Sequence, residues 1–301
     1  MPPQSTTRTR PHGPKGGIFL CFLCLVCFLC VFLSDLNAQN RPLRTADAEV
    51  VPPGTLRAQV GFDFLQDQSF PLSGLSGDLT SVGVVDLRMG VGKMVEVELQ
   101  GAVQNFLDIK KQGASFVPLS LTGPNSTHDV GDFSLSTKIR IFPESGRRPS
   151  LAMRFGFTMP NSNQARGIGT NTTDVFALFI LQKHFGKLDL FGNLGVAILQ
   201  SPNALFSQND VLLYGGAFAY PVYRRLNVVG EVAGRHSTRS INASLVGTES
   251  RSQARLGFQI VAGGFQWDVA GIAGLTKVDA HSGFTFGVSK DVHLFDYGKI
   301  Q

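Results

Sequence analysis

Glu96 and Glu98 form a carboxylate pair whose spacing could serve general acid–base catalysis in this 301-residue chain. Such a pair works in a cleft that gives its two members different pKa values. Here the two carboxylates alternate with Val95, Val97 and Leu99, and a β-strand turns alternate side chains to opposite faces. We therefore interpret Glu96 and Glu98 as part of the polar face of a strand and not as a catalytic pair.

A histidine stands directly before a serine twice, at His236-Ser237 and at His281-Ser282. Nucleophilic catalysis needs the serine hydroxyl within hydrogen-bond reach of the imidazole. Adjacent residues of a regular strand point to opposite faces, so neither pair can share a proton unless it lies in a loop. The histidines also show no metal-ligand spacing. We predict no metal, no cofactor and no enzymatic activity.

The beginning of the chain has the layout of a secretory signal peptide. Three basic residues precede an uncharged apolar run, Ile18 to Leu33, and Ala38 then offers a small residue for cleavage. We assign residues 1–38 to a signal peptide, with a single membrane-spanning anchor as the alternative. All four cysteines lie within the apolar run. We interpret them as small apolar residues of a removed segment and not as a metal or redox motif.

Charge and hydropathy exclude other classes of protein. The formal net charge is +5, and no run of like charge suggests a nucleic-acid partner. Beyond the first apolar run, no stretch is long enough to predict a membrane-spanning helix. Residues 39–55 are polar and contain three prolines. They predict a periplasmic N-terminal leader without regular structure.

From residue 56 onward the chain predicts a succession of β-strands. Each segment is close to the length of about 9–11 residues that a tilted strand needs to cross a bilayer. The twelve segments are 56–66, 78–90, 94–107, 130–142, 150–160, 173–185, 187–200, 210–221, 225–236, 250–261, 264–275 and 282–295.

Alternation and connection lengths together indicate a barrel in a membrane. Apolar residues alternate with polar ones in most segments, although Val175 to Leu181 is apolar on both faces. Connections after even-numbered segments are short, and those after odd-numbered segments are longer, as in outer-membrane barrels. We predict that residues 56–301 form an all-β, transmembrane, antiparallel β-barrel of about 12 strands in a Gram-negative outer membrane. A soluble periplasmic β-protein, which would also alternate, is an alternative.

One part of the chain resembles a known family. Its motifs, in chain order, are Gly131-Asp132 with Lys138, Met159-Pro160, Gly167-Ile168-Gly169, Asp174 and Asn193-Leu194-Gly195. They resemble the outer-membrane transporter family named for the MetA pathway of phenol degradation, most clearly over residues 130–200. The resemblance implies a barrel that transports small solutes, with hydrophobic or aromatic compounds as the class that the family name suggests.

Charged residues are expected to line the lumen if the apolar faces point to lipid. A barrel of twelve strands lies between small barrels filled by side chains and wide aqueous channels, so we expect a narrow or gated passage. Charged lining groups would set the electric field along it. The lumen-lining candidates are Arg88, Glu96, Glu98, Lys138, Arg140, Arg154, Arg235, Arg251 and Arg255.

These observations predict passive, non-enzymatic passage of small solutes. The expected surroundings are outer-membrane lipid, and the expected partner during insertion is the barrel assembly machinery. The oligomeric state is left open. Two alternatives are a structural or surface-interaction barrel with a plugged lumen, whose external loops bind a partner, and a lipid-modifying barrel enzyme.

Overall fold

The computed structural model describes residues 41–203, 208–239 and 246–296, so the expected signal peptide, residues 1–38, lies outside the described residues. Within these ranges no helix is long and apolar enough to cross a membrane, and the one short 3-10 helix is Gln164–Arg166. The described strands are β1 (Thr55–Phe70), β2 (Leu75–Gly90), β3 (Val95–Gln112), β4 (Ser126–Asp129), β5 (Ser134–Phe142), β6 (Ser150–Thr158), β7 (Asp174–Phe185), β8 (Leu188–Gln200), β9 (Gln208–Tyr223), β10 (Leu226–Ser237), β11 (Arg251–Ala262), β12 (Phe265–Gly274) and β13 (Ser282–His293).

Twelve of these strands close into one antiparallel barrel. Each strand pairs with its neighbour in the chain, β3 passes over β4 to pair with β5, and β1 pairs with β13 to complete the ring. The short strand β4 pairs only with the outer part of β3. All twelve strands expected from the sequence are confirmed, because alternation and spanning length are both properties of the local sequence.

The two ends of the barrel differ in their connections. At one end, which we call the turn end, two residues join β7 to β8, β9 to β10 and β11 to β12. Gly263 and Gly264 have φ angles of +64° and +75°, the left-handed pair that a two-residue hairpin requires. At the other end, which we call the loop end, most connections have seven or more residues. The exception joins β1 to β2, whose strands continue outward and leave four residues between them.

The wall of the barrel has an apolar outer face. In β8, Leu190, Leu194 and Val196 are 39–59% exposed, whereas Ala197 and Leu199 on the inner face are buried. Apolar side chains on the outside suit hydrocarbon. The closed ladder also leaves no strand edge with unpaired backbone groups, which hydrocarbon would not tolerate.

Residues 41–53 lie inside the barrel, and we call them the inner segment. Arg41 contacts Asp268 on β12, while Asp47 contacts Lys138 on β5. These strands stand far apart around the ring, so the inner segment crosses the lumen. As expected, the segment has no regular structure before Thr55. It differs from the expected periplasmic leader because its side chains pair with charges that the inner face of the wall would otherwise leave buried.

The inner segment also explains why β7 is apolar on both faces. Ile180 is fully buried on the inner face and packs with Ala46, Ala48 and Ala152. Two positions further along β7, the Gln182 side chain accepts a hydrogen bond from the N–H of Ala48 at 2.9 Å. On the inner face of β7, Ile180 therefore packs against the alanine side chains of the inner segment, and Gln182 binds the backbone of that segment.

Replacing Ile180 by alanine tests this packing. We expect a loss of about 2–5 kcal/mol in the free energy of unfolding, because a cavity would open between β7 and the inner segment. Leu194→Ala on the outer face is the matched control, since Leu194 is 59% exposed and its truncation leaves no cavity. Urea unfolding in detergent measures both, and equal losses would contradict the inward packing of Ile180.

The turn between β5 and β6 is held to β7 by Glu144. Its carboxylate accepts hydrogen bonds from Lys183 Nζ at 2.5 Å and from the backbone N–H of His184 at 3.1 Å. The hydrogen bond from Lys183 is the largest cause that lowers the pKa of Glu144 from 4.5 to about 2. The turn is therefore docked by a charge-assisted contact at the turn end of the barrel.

Glu144 should titrate far below a free glutamate. Because its pKa is depressed in the folded chain, its contribution to stability is complete above pH 4.5 and is lost as the pH falls toward 2. Lys183→Met should return the pKa toward its ordinary value, whereas Arg147→Met in the same turn should not. NMR of ¹³C-labelled glutamate side chains measures the pKa, and an ordinary value in the unaltered chain would rule out this docking contact.

Candidate functional site

A buried network of ion pairs lies on the inner face of β2, β3, β5 and β6. Lys138 Nζ lies 2.8 Å from Glu96 Oε1, 3.4 Å from Asp47 Oδ1 and 3.8 Å from Glu98 Oε1. The side chains of Lys138, Glu96 and Glu98 are at most 1% exposed, so water screens these charges little. Three carboxylates around one ammonium group keep the lysine charge in the interior.

Two arginines complete this network. Arg154 Nε lies 2.7 Å from Glu98 Oε2, and Arg88 lies 2.6 Å from Asp86 and 3.9 Å from Asp47. Asp47 belongs to the inner segment and touches cations of both β2 and β5. The network therefore joins the wall to the inner segment.

The register of the strands explains how the sequence assembles this network. Arg88 stands opposite Glu98, Glu96 opposite Lys138, and Lys138 opposite Arg154. Residues opposite each other on one face have Cβ atoms about 4.5–5.5 Å apart. Because Glu96 and Glu98 alternate along β3, they stand between the bases of β2 and those of β5 and β6.

Glu231 on β10 holds the middle of the inner segment. Its carboxylate accepts hydrogen bonds from the backbone N–H of Arg44 at 2.8 Å, from the N–H of Thr45 at 2.8 Å and from the Thr45 hydroxyl at 2.7 Å. Arg255 Nε lies 3.6 Å from the same carboxylate and, through Nη1, donates to the Pro42 carbonyl at 2.8 Å. Glu231 thus satisfies backbone donors that an irregular segment inside a barrel would otherwise leave unpaired.

Arg41 docks the start of the described inner segment on the strands that follow β10 around the ring. Its guanidinium group lies 3.5 Å from Asp268 and 3.8 Å from Asp63, and donates to the Thr285 hydroxyl at 3.0 Å. Its carbonyl accepts a hydrogen bond from Gln259 at 2.6 Å. The segment is therefore anchored on β1, β11, β12 and β13 as well as on β10.

A cavity of about 560 Å³ lies in the lumen between the inner segment and the loop end. Arg44 and Thr45 of the inner segment line it on one side, and residues of the wall and loops line the rest. Its arginines are Arg44, Arg154, Arg235 and Arg251, and its aspartates are Asp132, Asp174 and Asp279. Leucines of several strands add an apolar surface. A volume of this size suits a small organic molecule.

The residues expected to line the lumen fall into separate groups. The buried network contains Arg88, Glu96, Glu98, Lys138 and Arg154. The other four lie apart from it: Arg140 pairs with Glu49 at 2.6 Å, Arg255 contacts Glu231 and Pro42, and Arg235 and Arg251 line the cavity. That any of them sets a field along a passage stays a prediction.

Sequence reasoning missed Arg41 and Asp47 as site residues. Both precede the first strand, and the alternation of a strand says nothing about a segment outside the wall. One signal was present in β7, since a strand that is apolar on both faces needs an apolar neighbour inside the barrel. The small residues Ala46 and Ala48 supply that neighbour.

The arrangements suggested for enzymatic chemistry do not form. His236 is exposed and Ser237 is buried, as expected for neighbours on opposite faces of β10. The Ser282 hydroxyl donates to the Gln66 side chain at 2.6 Å, while His281 uses its backbone N–H to bond the Gln66 carbonyl. Within the described ranges, no group of three or more metal-binding side chains is close enough to hold a metal ion.

Comparisons with solved structures identify the fold. An outer membrane channel from Pseudomonas putida F1 matches with a TM-score of 0.61 and 15% sequence identity, covering 83% of this chain and 100% of that one. The chain has the fold of an outer-membrane β-barrel. This fold, together with the apolar outer face, places the barrel in the outer membrane.

Two further structures match less closely. The translocator domain of the autotransporter NalP from Neisseria meningitidis has a TM-score of 0.48 and 13% identity, covering 91% of this chain and 94% of that one. The porin NanC has a TM-score of 0.45 and 7% identity, covering 80% and 100%. No family model matches the chain, and no curated protein matches it either. The resemblance to the phenol-degradation family therefore stays a prediction.

Removing the central cation should destabilise the barrel. We expect Lys138→Met to lower the free energy of unfolding by about 3–5 kcal/mol, because Glu96 and Asp47 would keep buried charges without their ammonium partner. Lys187→Met, on an exposed turn, is the matched control. Adding Glu96→Gln to Lys138→Met should restore part of the loss. Heat-induced mobility shifts in gels measure unfolding, and an unaltered Lys138→Met transition would show that the network contributes nothing.

Proposed function

We propose that this barrel is a non-enzymatic channel for small solutes in the outer membrane. One arrangement supports the proposal. The closed barrel has a charged inner face, and a cavity lies in its lumen between the inner segment and the loop end. A solute that enters from the loop end reaches the cavity and then meets the inner segment. Passage past that point depends on how the inner segment is held.

The inner segment is bound in a way that allows it to move without breaking the barrel. Four of its backbone N–H groups, those of Arg44, Thr45, Ala48 and Val51, bond to wall side chains of Glu231, Gln182 and Glu96. The strand-to-strand ladders that close the barrel do not include residues 41–53. Displacement of the inner segment would thus cost side-chain contacts but no bonds between strands.

The nine lumen-lining candidates have separate parts in this proposal. Lys138 and its carboxylates hold the inner segment, whereas Arg235 and Arg251 face the solute in the cavity. Leucines of the cavity wall favour solutes with an apolar portion, in line with the class implied by the family resemblance. The second candidate function, a structural barrel with a plugged lumen, is favoured by the ion pairs that hold the inner segment to several walls.

A reversible cross-link separates the two functions. A Cβ atom built on Gly215 of β9 would lie 3.5 Å from the Cβ of Thr45, within the range for a disulfide. We expect the Thr45→Cys/Gly215→Cys barrel to admit small neutral sugars into liposomes faster when reduced than when oxidised. Fixing the inner segment to β9 prevents its displacement and so slows passage. Liposome swelling measures the rates.

The single variant Thr45→Cys, treated with the same oxidant and reductant, controls for effects of the reagents. If reduced and oxidised barrels both match protein-free liposomes, the channel proposal fails and the plugged structural barrel stands. If both admit sugars at the same rate, solutes pass without movement of the inner segment and that part of the proposal fails.

A further inference from the structure

One arginine of the inner segment lines the cavity with a guanidinium group that no described residue binds. Arg44 is the exposed residue among the described positions 41–48, all others being buried. Its backbone N–H is bound to Glu231, but its guanidinium group makes no hydrogen bond or ion pair with the described residues. A guanidinium group carries five N–H donors in a planar fork that matches a carboxylate. Arg44 therefore presents its full set of donors to the cavity.

Two more arginines of the cavity wall are held by main-chain carbonyls. Arg235 donates to the carbonyls of Glu249 at 2.9 Å and Gly247 at 3.4 Å. Arg251 donates to the carbonyls of Val278 and Ser69, both at 3.2 Å. No described carboxylate lies within 4.0 Å of either guanidinium group. Main-chain carbonyls orient these side chains but do not neutralise their charge.

The positive charges of the cavity are close enough to repel one another. Arg44 repels Arg251 and Arg255, and Arg251 repels Arg235. Glu249 and Asp279 attract both Arg235 and Arg251 and offset part of this repulsion. An anion placed among Arg44, Arg235 and Arg251 would relieve this repulsion. A cation would add to it.

The aspartates of the cavity are already engaged by the protein. Asp132, Asp174 and Asp279 each accept a hydrogen bond from a main-chain N–H, at 2.7, 2.9 and 2.7 Å respectively. Asp279 also accepts one from the Thr276 hydroxyl at 2.6 Å. The carboxylates thus fix loops and strand ends, whereas the guanidinium group of Arg44 has no hydrogen bond to a described residue. The hydrogen bonds to these aspartates use one oxygen of each carboxylate and hold the aspartates in place, so the cavity offers an anion a cationic contact at Arg44.

An apolar surface faces the same space. Leu65, Leu79, Leu178, Leu199 and Leu213 belong to five different strands and all line the cavity. Removing apolar surface from water is favourable, so an organic anion would gain from this lining, whereas a small inorganic anion would not.

From these observations we infer that the cavity binds a small organic monocarboxylate, with its carboxylate on Arg44 and its apolar body against the leucines. This inference rests on the proposed function, because it names the class of solute that the channel takes up. Arg235 and Arg251 supply long-range attraction toward the same point. Arg44 is on the inner segment, so the bound anion would contact the element that narrows the lumen.

Calorimetric titration of the purified full-length barrel with hexanoate tests this inference, with empty detergent micelles as the blank. We expect hexanoate to bind at least tenfold more tightly than hexanamide, which has the same apolar body without the charge. Hexylammonium should bind more weakly still. Arg44→Gln should weaken hexanoate binding about tenfold, whereas Arg224→Gln, an exposed arginine in a turn at the turn end, should leave it unchanged.

Each other outcome overturns a stated part of the inference. Equal affinity for hexanoate and hexanamide, or unaltered binding to Arg44→Gln, would remove the anion site. Inorganic phosphate binding as tightly as hexanoate would remove the apolar part. Liposome swelling separates this result from the channel itself: sugar entry without hexanoate binding leaves the channel proposal intact and ends the inference. Hexanoate binding without any solute entry leaves the anion site intact and ends the channel proposal.

Discussion

Backbone hydrogen bonding in hydrocarbon is the constraint on which the rest of this structure depends. A strand in a membrane must bond both edges, and the pairing of β1 with β13 meets that requirement for the whole wall. Once the ring is closed, alternation decides what each side chain meets. Most exposed apolar residues face lipid, and most buried polar or charged residues of the same strands face the lumen.

This inward concentration of charge creates a second problem, which the inner segment solves. Charges on β2, β3, β5 and β6 cluster around Lys138, where water has little access, and Asp47 adds a further carboxylate to them. On β1 and β12, Arg41 supplies a cation to Asp63 and Asp268. Along the inner segment Arg41 meets Asp63 and Asp268, Asp47 meets Lys138 and Arg88, and Glu49 meets Arg140. These pairs hold the segment to successive parts of the wall.

The wall could be predicted from the sequence, and the inner segment could not. Strand positions such as those of β3 follow from alternation between Val95 and Leu99, which is a local signal. The ion pairs of Glu96 and Glu98 depend on register, which local alternation does not specify. The docking of Asp47 depends on a contact across 91 positions of the chain to Lys138, and a polar stretch with prolines has the same composition whether it lies inside a barrel or outside it.

The same contrast applies to the cavity. Arg235 and Arg251 were recognisable as inward-facing bases, but their partners are carbonyls of loops near the loop end, at Gly247, Glu249 and Val278. Loop conformation is not encoded in the alternation of the strands. Arg44 could not be predicted for a different reason. It belongs to the inner segment, and the alternation of the strands does not predict where that segment lies.

The short junction Pro52-Pro53-Gly54, which leads directly into β1, has a consequence for the strength of each contact that the inner segment makes. A ligand tethered through so few residues meets its binding sites at an effective concentration in the millimolar range or above. Rebinding is then intramolecular, and occupancy does not depend on the abundance of the protein. Anchors that would be far too weak to retain a free peptide are sufficient here, and the loss of any single one shifts the fraction of time bound without releasing the peptide into solution.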